Sequence, residues 1–387
     1  MPYIKRILNL KDELKYQSLF LFGARQTGKT SYINNELKED VKLQWTLLDS
    51  KTRRRADADP SSLRDEIYAR QIKDGIVVID EIQKVPELLD EIHLLIEETD
   101  IHFLLTGSSA RKLREKGINL LGGRAGKYIF HPLVYPEIKD TDPTLEMIFR
   151  KGLLPSAYLS EMPEKILSNY VDVFLREEIA ADAAVRKLPQ FEQFLEIAAI
   201  SNAEELNYSN IARDIMMSRQ AVYEWYRLLV DTLIGFEVPA YTKTLRRKAV
   251  ETSRFYFFDI GVVRSILGID VPLPVQTEYG KFFENYIAME LRAYLDYNDK
   301  TETLSYWRTR SGLEVDFTIG NTIAIETKTT KSVSSNDLKG LRALKEENVF
   351  KKFIIVSRDE TIKYTEDGIL LLPWHEFLEW LWRGDIL

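Results

Sequence analysis

The chain has 387 residues, 45% hydrophobic and 29% charged, with a net charge of −7. One hydrophobic core rarely serves such a length, so two or three domains are expected, and the acidic balance argues against indiscriminate coating of nucleic acid while leaving room for a local basic site. The absence of cysteine excludes disulfides, thiol nucleophiles and cysteine zinc sites and suits a reducing cytoplasm.

Four histidines, at 93, 102, 131 and 375, lack metal-ligand spacing. Any metal is therefore expected to be a hard cation held by carboxylates and phosphates. Charges interrupt every long apolar run, and the amino terminus has no signal-peptide core. A cytoplasmic protein without a membrane partner is the expectation.

The first predicted element is a buried strand over Gln17–Phe22. It runs into Gly23-Ala24-Arg25-Gln26-Thr27-Gly28-Lys29-Thr30 and then a helical segment. This is the G-x-x-x-x-G-K-[ST] phosphate loop in its strand-to-helix setting. Gly23 and Gly28 let backbone N–H groups wrap a phosphate closely. Lys29 supplies an ammonium to the β/γ oxygens, and the Thr30 hydroxyl is a ligand for Mg²⁺. ATP and Mg²⁺ are the cofactors this pattern calls for.

A second strand, Gly75–Ile79, is rich in β-branched residues and ends in Asp80-Glu81. Asp80 is expected to hold Mg²⁺ through water and Glu81 to act as general base on the attacking water. A third strand, Ile101–Leu105, leads to Thr106-Gly107-Ser108-Ser109. Ser108 there either orients water and senses phosphate or belongs to a plain turn that caps the next helix. Beyond lies Leu120-Leu-Gly-Gly-Arg124. An arginine on a glycine-rich loop suits a finger supplied in trans, and Arg111 competes with Arg124 for that role.

Asp140-Thr-Asp-Pro143 marks a compositional boundary, after which the pattern turns helical. Leu206–Ile215 and Arg219–Leu229 read as two helices around a short turn, with Ser218 as N-cap. Two strand-like pieces follow, Gly235–Pro239 and Arg254–Phe258, separated by Lys243, Arg246, Arg247 and Lys248. The pattern is a winged helix-turn-helix. It either sets Arg219, Gln220 and Tyr223 in a DNA groove with the wing on phosphates, or docks another protein, since Glu224 repels phosphate.

Pro272-Leu-Pro274 is a second linker. After it come a helix from Tyr279 carrying Glu284, a strand over Gly312–Ile319 carrying Asp316, a turn at Gly320-Asn321, and a strand carrying Glu326 and Lys328. Period two puts Glu326 and Lys328 on one face. Asp316 and Glu326 are then candidate Mg²⁺ ligands, Lys328 a stabiliser of developing charge, and Glu284 a further carboxylate.

The phosphate loop, Asp80-Glu-Ile-Gln-Lys-Val-Pro86, the Leu-Thr-Gly-Ser-Ser strand end and the Gly-Gly-Arg loop resemble prokaryotic AAA+ superfamily ATPases, in the lineage with a winged helix and a C-terminal domain of unknown function. Gly312–Phe317 and Ile325–Lys328 are similar to the core of PD-(D/E)-x-K nucleases. The resemblance implies an α/β fold in three parts. These are an AAA+ core with a parallel sheet (1–140), a helical lid and winged helix-turn-helix (141–271), and a restriction-endonuclease-like α/β domain (272–387). It gives Lys29, Thr30, Asp80, Glu81 and Arg124 ATPase roles, and Glu284, Asp316, Glu326 and Lys328 nuclease-core roles. It further implies a homo-oligomer, in such families often a ring. A complete phosphate site and a complete acidic–lysine core in one chain lead to the expectation that ATP hydrolysis gates the C-terminal domain on DNA as partner. The competing reading is a regulatory switch whose C-terminal domain is an inactive protein-docking surface. A small-molecule kinase finds no acceptor pocket in the pattern.

Overall fold

The computed structural model describes residues 2–109, 124–179 and 188–387, with the backbone alone over 176–179. The chain divides into two compact units. One is Met1–Leu133 with Asp231–Leu233, the other Val134–Val230 with Ile234–Leu387.

The first unit is built on a five-stranded sheet of order β2-β3-β4-β1-β5. Its strands are β1 (Ser18–Phe22), β2 (Val41–Thr46), β3 (Asp74–Asp80), β4 (Asp100–Gly107) and β5 (Ala125–Ile129). All four pairings are parallel. Unbroken apolar runs such as Leu19–Phe22 and Ile76–Ile79 suit strands covered on both faces, which is where parallel sheets occur. On one face, alternate residues Phe20 and Phe22, Val77 and Ile79, and Phe103 and Leu105 share a core with Leu88, Ile92 and Leu95 of helix Leu88–Glu98. The helix residues recur with the helical period. Burying each such side chain contributes about 1.5–3 kcal/mol.

This strand order brings chemistry together. Because β4 lies between β1 and β3, the carboxyl ends of all three form one edge, where ligands of open α/β sheets bind.

The second unit begins with helices, among them Leu145–Lys151, Pro163–Asn169 and Leu188–Ile200. Helices Tyr208–Asp214 and Arg219–Asp231 follow the expected helix, turn and helix. The first starts two residues later than the apolar pattern predicts, because the Asn207 side chain accepts from Asn210 N at 3.0 Å and caps it. Ser218 Oγ accepts from Ala221 N at 3.1 Å, as a cap of the second. Strands β6 (Gly235–Val238) and β7 (Arg254–Phe257) pair antiparallel.

Helix Thr277–Tyr297 leads into a six-stranded mixed sheet of order β12-β13-β11-β10-β9-β8. Its strands are β8 (Leu304–Arg308), β9 (Glu314–Ile319), β10 (Ile323–Lys328), β11 (Lys352–Ser357), β12 (Lys363–Tyr364) and β13 (Leu370–Pro373). The β9–β10 hairpin turns at Gly320, whose φ of 51° needs glycine or another tolerant residue.

The segment between β6 and β7 is not a free basic wing. Tyr241 N donates to Tyr306 O at 2.6 Å, and Val250 N donates to Arg308 O at 2.9 Å, so the segment lies along β8. Tyr241 and Ala249 join the core formed by Trp307, Val315 and Leu341. Arg247 is engaged by Glu346 at 2.5 Å and by the Ala343 carbonyl at 2.9 Å, which corrects its expected place on phosphate. Lys243, Arg246 and Lys248 remain exposed. Among the described residues, no helix is long and apolar enough to cross a membrane.

Candidate functional site

The phosphate loop leaves the carboxyl end of β1 and enters helix Lys29–Tyr32. A Cβ on Gly23 would lie 2.5 Å from the Phe130 carbonyl, so the loop's closest approach to the neighbouring chain admits only glycine. Gly28 holds a φ of 97°, again a glycine conformation. Within the loop, Thr27 Oγ1 donates to Ala24 O at 2.8 Å. Arg25 is half-buried, while Gln26 and Thr30 are exposed.

Lys29 is buried, and its ammonium donates to the carbonyls of Gly23 at 2.6 Å and Ala24 at 3.2 Å. Burial pulls the ammonium down to about 8, against the raising effect of Glu81 and Asp80. Desolvation therefore outweighs the two nearby carboxylates, and an incoming polyphosphate meets a cation with little water to displace.

At the end of β3, Asp80 is 3% exposed. Its Oδ1 accepts from Thr106 Oγ1 at the end of β4, and its Oδ2 from Thr46 Oγ1 at 3.5 Å. Glu81 adopts a φ of 64°, rare for a residue of its size, which re-aims its side chain at the strand end. Gln83 Nε2 donates to Glu81 Oε2 at 2.5 Å and to Ser108 Oγ at 3.1 Å. Ser108 Oγ is itself 3.4 Å from Glu81 Oε2. The structure thus brings Gly23–Thr30, Asp80, Glu81 and Ser108 to one edge of the sheet. A hydroxyl at Thr30 and a carboxylate at Asp80 are oxygen donors of the kind Mg²⁺ takes, and the glycine-lined loop suits a polyphosphate.

Arg124 is not brought there. It precedes β5 at its amino end, the edge opposite the phosphate loop, and its guanidinium donates to Glu97 at 2.8 Å. Arg111 and residues 120–123 lie outside the described residues.

Three participants have no role assigned to them from the sequence. Arg6 is buried and donates to the carbonyls of Thr27 at 2.8 Å, His131 at 2.7 Å and Pro132 at 3.1 Å, with its guanidinium 4.1 Å over the Phe130 ring. It ties the phosphate loop to the chain that leaves β5. Gln83 and Thr106 hold the two carboxylates. Gln83 lies in the Asp80–Pro86 run and Thr106 in the Leu-Thr-Gly-Ser-Ser strand end, so only Arg6 stands outside every motif.

A second cluster lies in the other unit. The β9–β10 register pairs Ile325 with Phe317, which sets Glu326 opposite Asp316 at the next position. Lys328 Nζ donates to Glu326 Oε1 at 2.5 Å. Burial, then the Asp316 charge, pushes the Glu326 carboxyl well up, against Lys328. Burial would lower the Lys328 ammonium, but Glu326 and Asp316 prevail and raise it. Glu284 comes close as expected, yet what it meets is an arginine. Arg254 Nη1 donates to Glu284 Oε1 at 2.9 Å and lies 3.6 Å from Asp316 Oδ1. Burial and the Asp316 charge push Glu284 up to about 7, against Arg254. Among the described residues, no group of three or more His, Asp or Glu side chains is arranged to hold a metal ion. With a guanidinium among its carboxylates, this donor set does not fit Mg²⁺.

A glycine-rich phosphate loop, an acidic strand end and a strand inserted between them define a P-loop ATPase domain of the AAA type. Residues 15–139 match the family model described as AAA domain. Residues 143–272 and 279–377 match two domains of unknown function, DUF8612 and DUF4143. An uncharacterized protein of Mycobacterium tuberculosis is 21% identical over 326 residues, 82% of this chain and 71% of that protein. The Aeropyrum pernix ORC2 protein in its ADP form aligns at 15% identity over 65% of this chain and 88% of that one, with a TM-score of 0.30. The Aeropyrum pernix ORC1 protein in complex with DNA aligns at 13% identity over 69% and 94%, with a TM-score of 0.27. Nothing about this chain's activity follows from similarity at that level.

Proposed function

We propose that the chain hydrolyses ATP with Mg²⁺ at residues 23–30, 80, 81 and 108, and that the nucleotide cycle changes how residues 134–387 engage DNA. The convergence of Lys29, Asp80 and Glu81 at one sheet edge supports the ATPase part most directly. Lys29 exchanges the Gly23 and Ala24 carbonyls for phosphate oxygens. Thr30 and Asp80 hold Mg²⁺, which offsets negative charge on the phosphates when bound. Glu81 takes a proton from water, with Gln83 and Ser108 fixing its carboxylate.

The exposed face of helix Arg219–Asp231 supports the DNA part. Arg219, Gln220 and Tyr223 all lie on it, and Gln220 Nε2 donates to Glu224 Oε1 at 3.1 Å. The exposed Lys243, Arg246 and Lys248 add positive charge on the segment between β6 and β7. We place no cut at Glu284, Asp316, Glu326 and Lys328, because Arg254 stands among those carboxylates.

The test is Glu81→Gln. It should bind ATP as the wild type does and lose about 10²–10⁴-fold in turnover, the usual worth of a general base. Turnover unchanged in that variant removes Glu81 from the reaction. For DNA, affinity should fall with salt at a slope near −0.9 per phosphate contacted. The Arg219→Ala protein should bind more weakly. Absence of DNA binding at low salt would transfer the output to a protein partner.

A further inference from the structure

Arg254 opens β7, and its guanidinium is buried in the carboxylate cluster of the mixed-sheet unit. It lies 4.5 Å over the Tyr306 ring and donates to Glu284 Oε1 at 2.9 Å and to Glu314 Oε2 at 3.0 Å. Asp316 Oδ1 is 3.6 Å away. Two residues on, on the same face of β7, the Tyr256 hydroxyl donates to Glu284 Oε1 at 2.7 Å.

Two further carboxylate oxygens of the cluster are engaged. Asp316 Oδ2 accepts from Thr327 N and Thr327 Oγ1, both at 2.8 Å. Glu326 Oε1 takes Lys328, which leaves Glu326 Oε2 without a hydrogen bond. A hard divalent cation needs about six oxygen ligands at roughly 2.0–2.6 Å. Here Glu284 Oε1, Asp316 Oδ2 and Glu326 Oε1 already accept hydrogen bonds, and a fixed positive charge sits 3.6 Å from Asp316 Oδ1. A buried charge left without its partner is costly, so the guanidinium has no cheap way out.

We propose that Arg254 is the resident cation of the Glu284–Glu314–Asp316 cluster, which therefore takes no divalent metal and instead fastens the β6–β7 hairpin to strand β9 and helix Thr277–Tyr297. Arginine suits this role because its planar fork serves two carboxylates at once and keeps its charge at any physiological pH. The cluster is then a lock, and the unit carries its helix-turn-helix on a sheet that does not cut. This inference is independent of the ATP and DNA reading, since neither requires the cluster.

Titrating the nucleotide-free full-length protein with Mn²⁺, followed by electron paramagnetic resonance, tests it, because without nucleotide the phosphate loop offers Mn²⁺ little. Wild type should show no Mn²⁺ binding that Asp316→Asn or Glu326→Gln removes. Arg254→Met should gain a Mn²⁺ site at least about tenfold tighter than any in wild type, because a repelling charge is gone and carboxylates are freed. Adding Asp316→Asn to Arg254→Met should abolish the gain. Mn²⁺ binding by wild type that depends on Asp316 or Glu326 overturns the proposal, as does a folded Arg254→Met protein with no gain. Should Arg254→Met fail to fold, the wild-type comparison with Asp316→Asn and Glu326→Gln still decides.

Discussion

Lys29 is charged in the free protein only while the pH stays below the value of about 8 to which burial pulls it. Bound phosphates favour the ammonium and raise that value again. Between the two, the complex holds a proton that the free protein lacks, so affinity for ATP must fall as pH rises above about 8. The decline approaches tenfold per pH unit. Calorimetry at pH 8.5 in buffers of different ionisation heat should detect proton uptake on ATP binding. Binding without proton uptake would mean that Lys29 does not meet the phosphates. Arg6 works at the same scale, since three carbonyls converge on one buried guanidinium beside the loop.

At the scale of elements, the loop between β1 and helix Lys29–Tyr32 depends on Gly23. A methyl group there would meet the Phe130 carbonyl at 2.5 Å and Phe130 Cβ at 3.0 Å. Backbone cannot retreat as a flexible side chain can, so Gly23→Ala should displace the loop, weaken ATP binding by tenfold or more, and destabilise its unit by about 1–3 kcal/mol. Nucleotide titration and thermal unfolding of the variant check both parts. An unchanged affinity would show that the loop tolerates movement.

Strands β1, β3 and β4 could be read from the sequence to within two residues because each is a dense apolar run closed by a polar motif. The edge strands β2 and β5 carried no such signal. Their burial alternates or is partial, and parallel pairing to distant strands sets them. Asp316, Glu326 and Lys328 were legible together because a hairpin closed by a short turn, here residues 320–322, fixes its own register. Arg254 was not, since nothing local distinguishes an arginine at the start of a strand; its partners lie 30 and 60 residues away. The wing was misjudged for a related reason. Tyr241 and Ala249 sit among basic residues, and only the distant β8 reveals that they are core positions.

At the scale of the molecule, the unit Val134–Val230 with Ile234–Leu387 encloses several carboxyls held above the usual carboxylate range, Glu284 and Glu290 among them. Burial, then the Asp316 charge, pushes Glu284 up to about 7. Burial pushes Glu290 up to about 8, against hydrogen bonds from Trp382 and Tyr135 N. Between the ordinary value of 4.5 and these raised values, the folded state binds protons that the unfolded chain releases. Stability from these groups is therefore full at low pH and declines as pH rises through about 7 and 8. Five of the six tryptophans (Trp225, Trp307, Trp374, Trp380 and Trp382) belong to this unit, so their fluorescence reports its unfolding. Its Tm should be lower at pH 8 than at pH 6, and a Tm that rises across that window would contradict the assignment.

The central claim is an ATPase whose output is DNA, and it is tested most directly by ATP turnover with Mg²⁺. Turnover should be measured with and without duplex, single-stranded and branched DNA, at low and moderate salt, with Glu81→Gln as the blank. The account predicts turnover that Glu81→Gln abolishes and that at least one form of DNA stimulates, less so as salt rises. Turnover equal with and without every DNA would contradict the DNA output, and turnover that survives in Glu81→Gln would contradict the catalytic site itself.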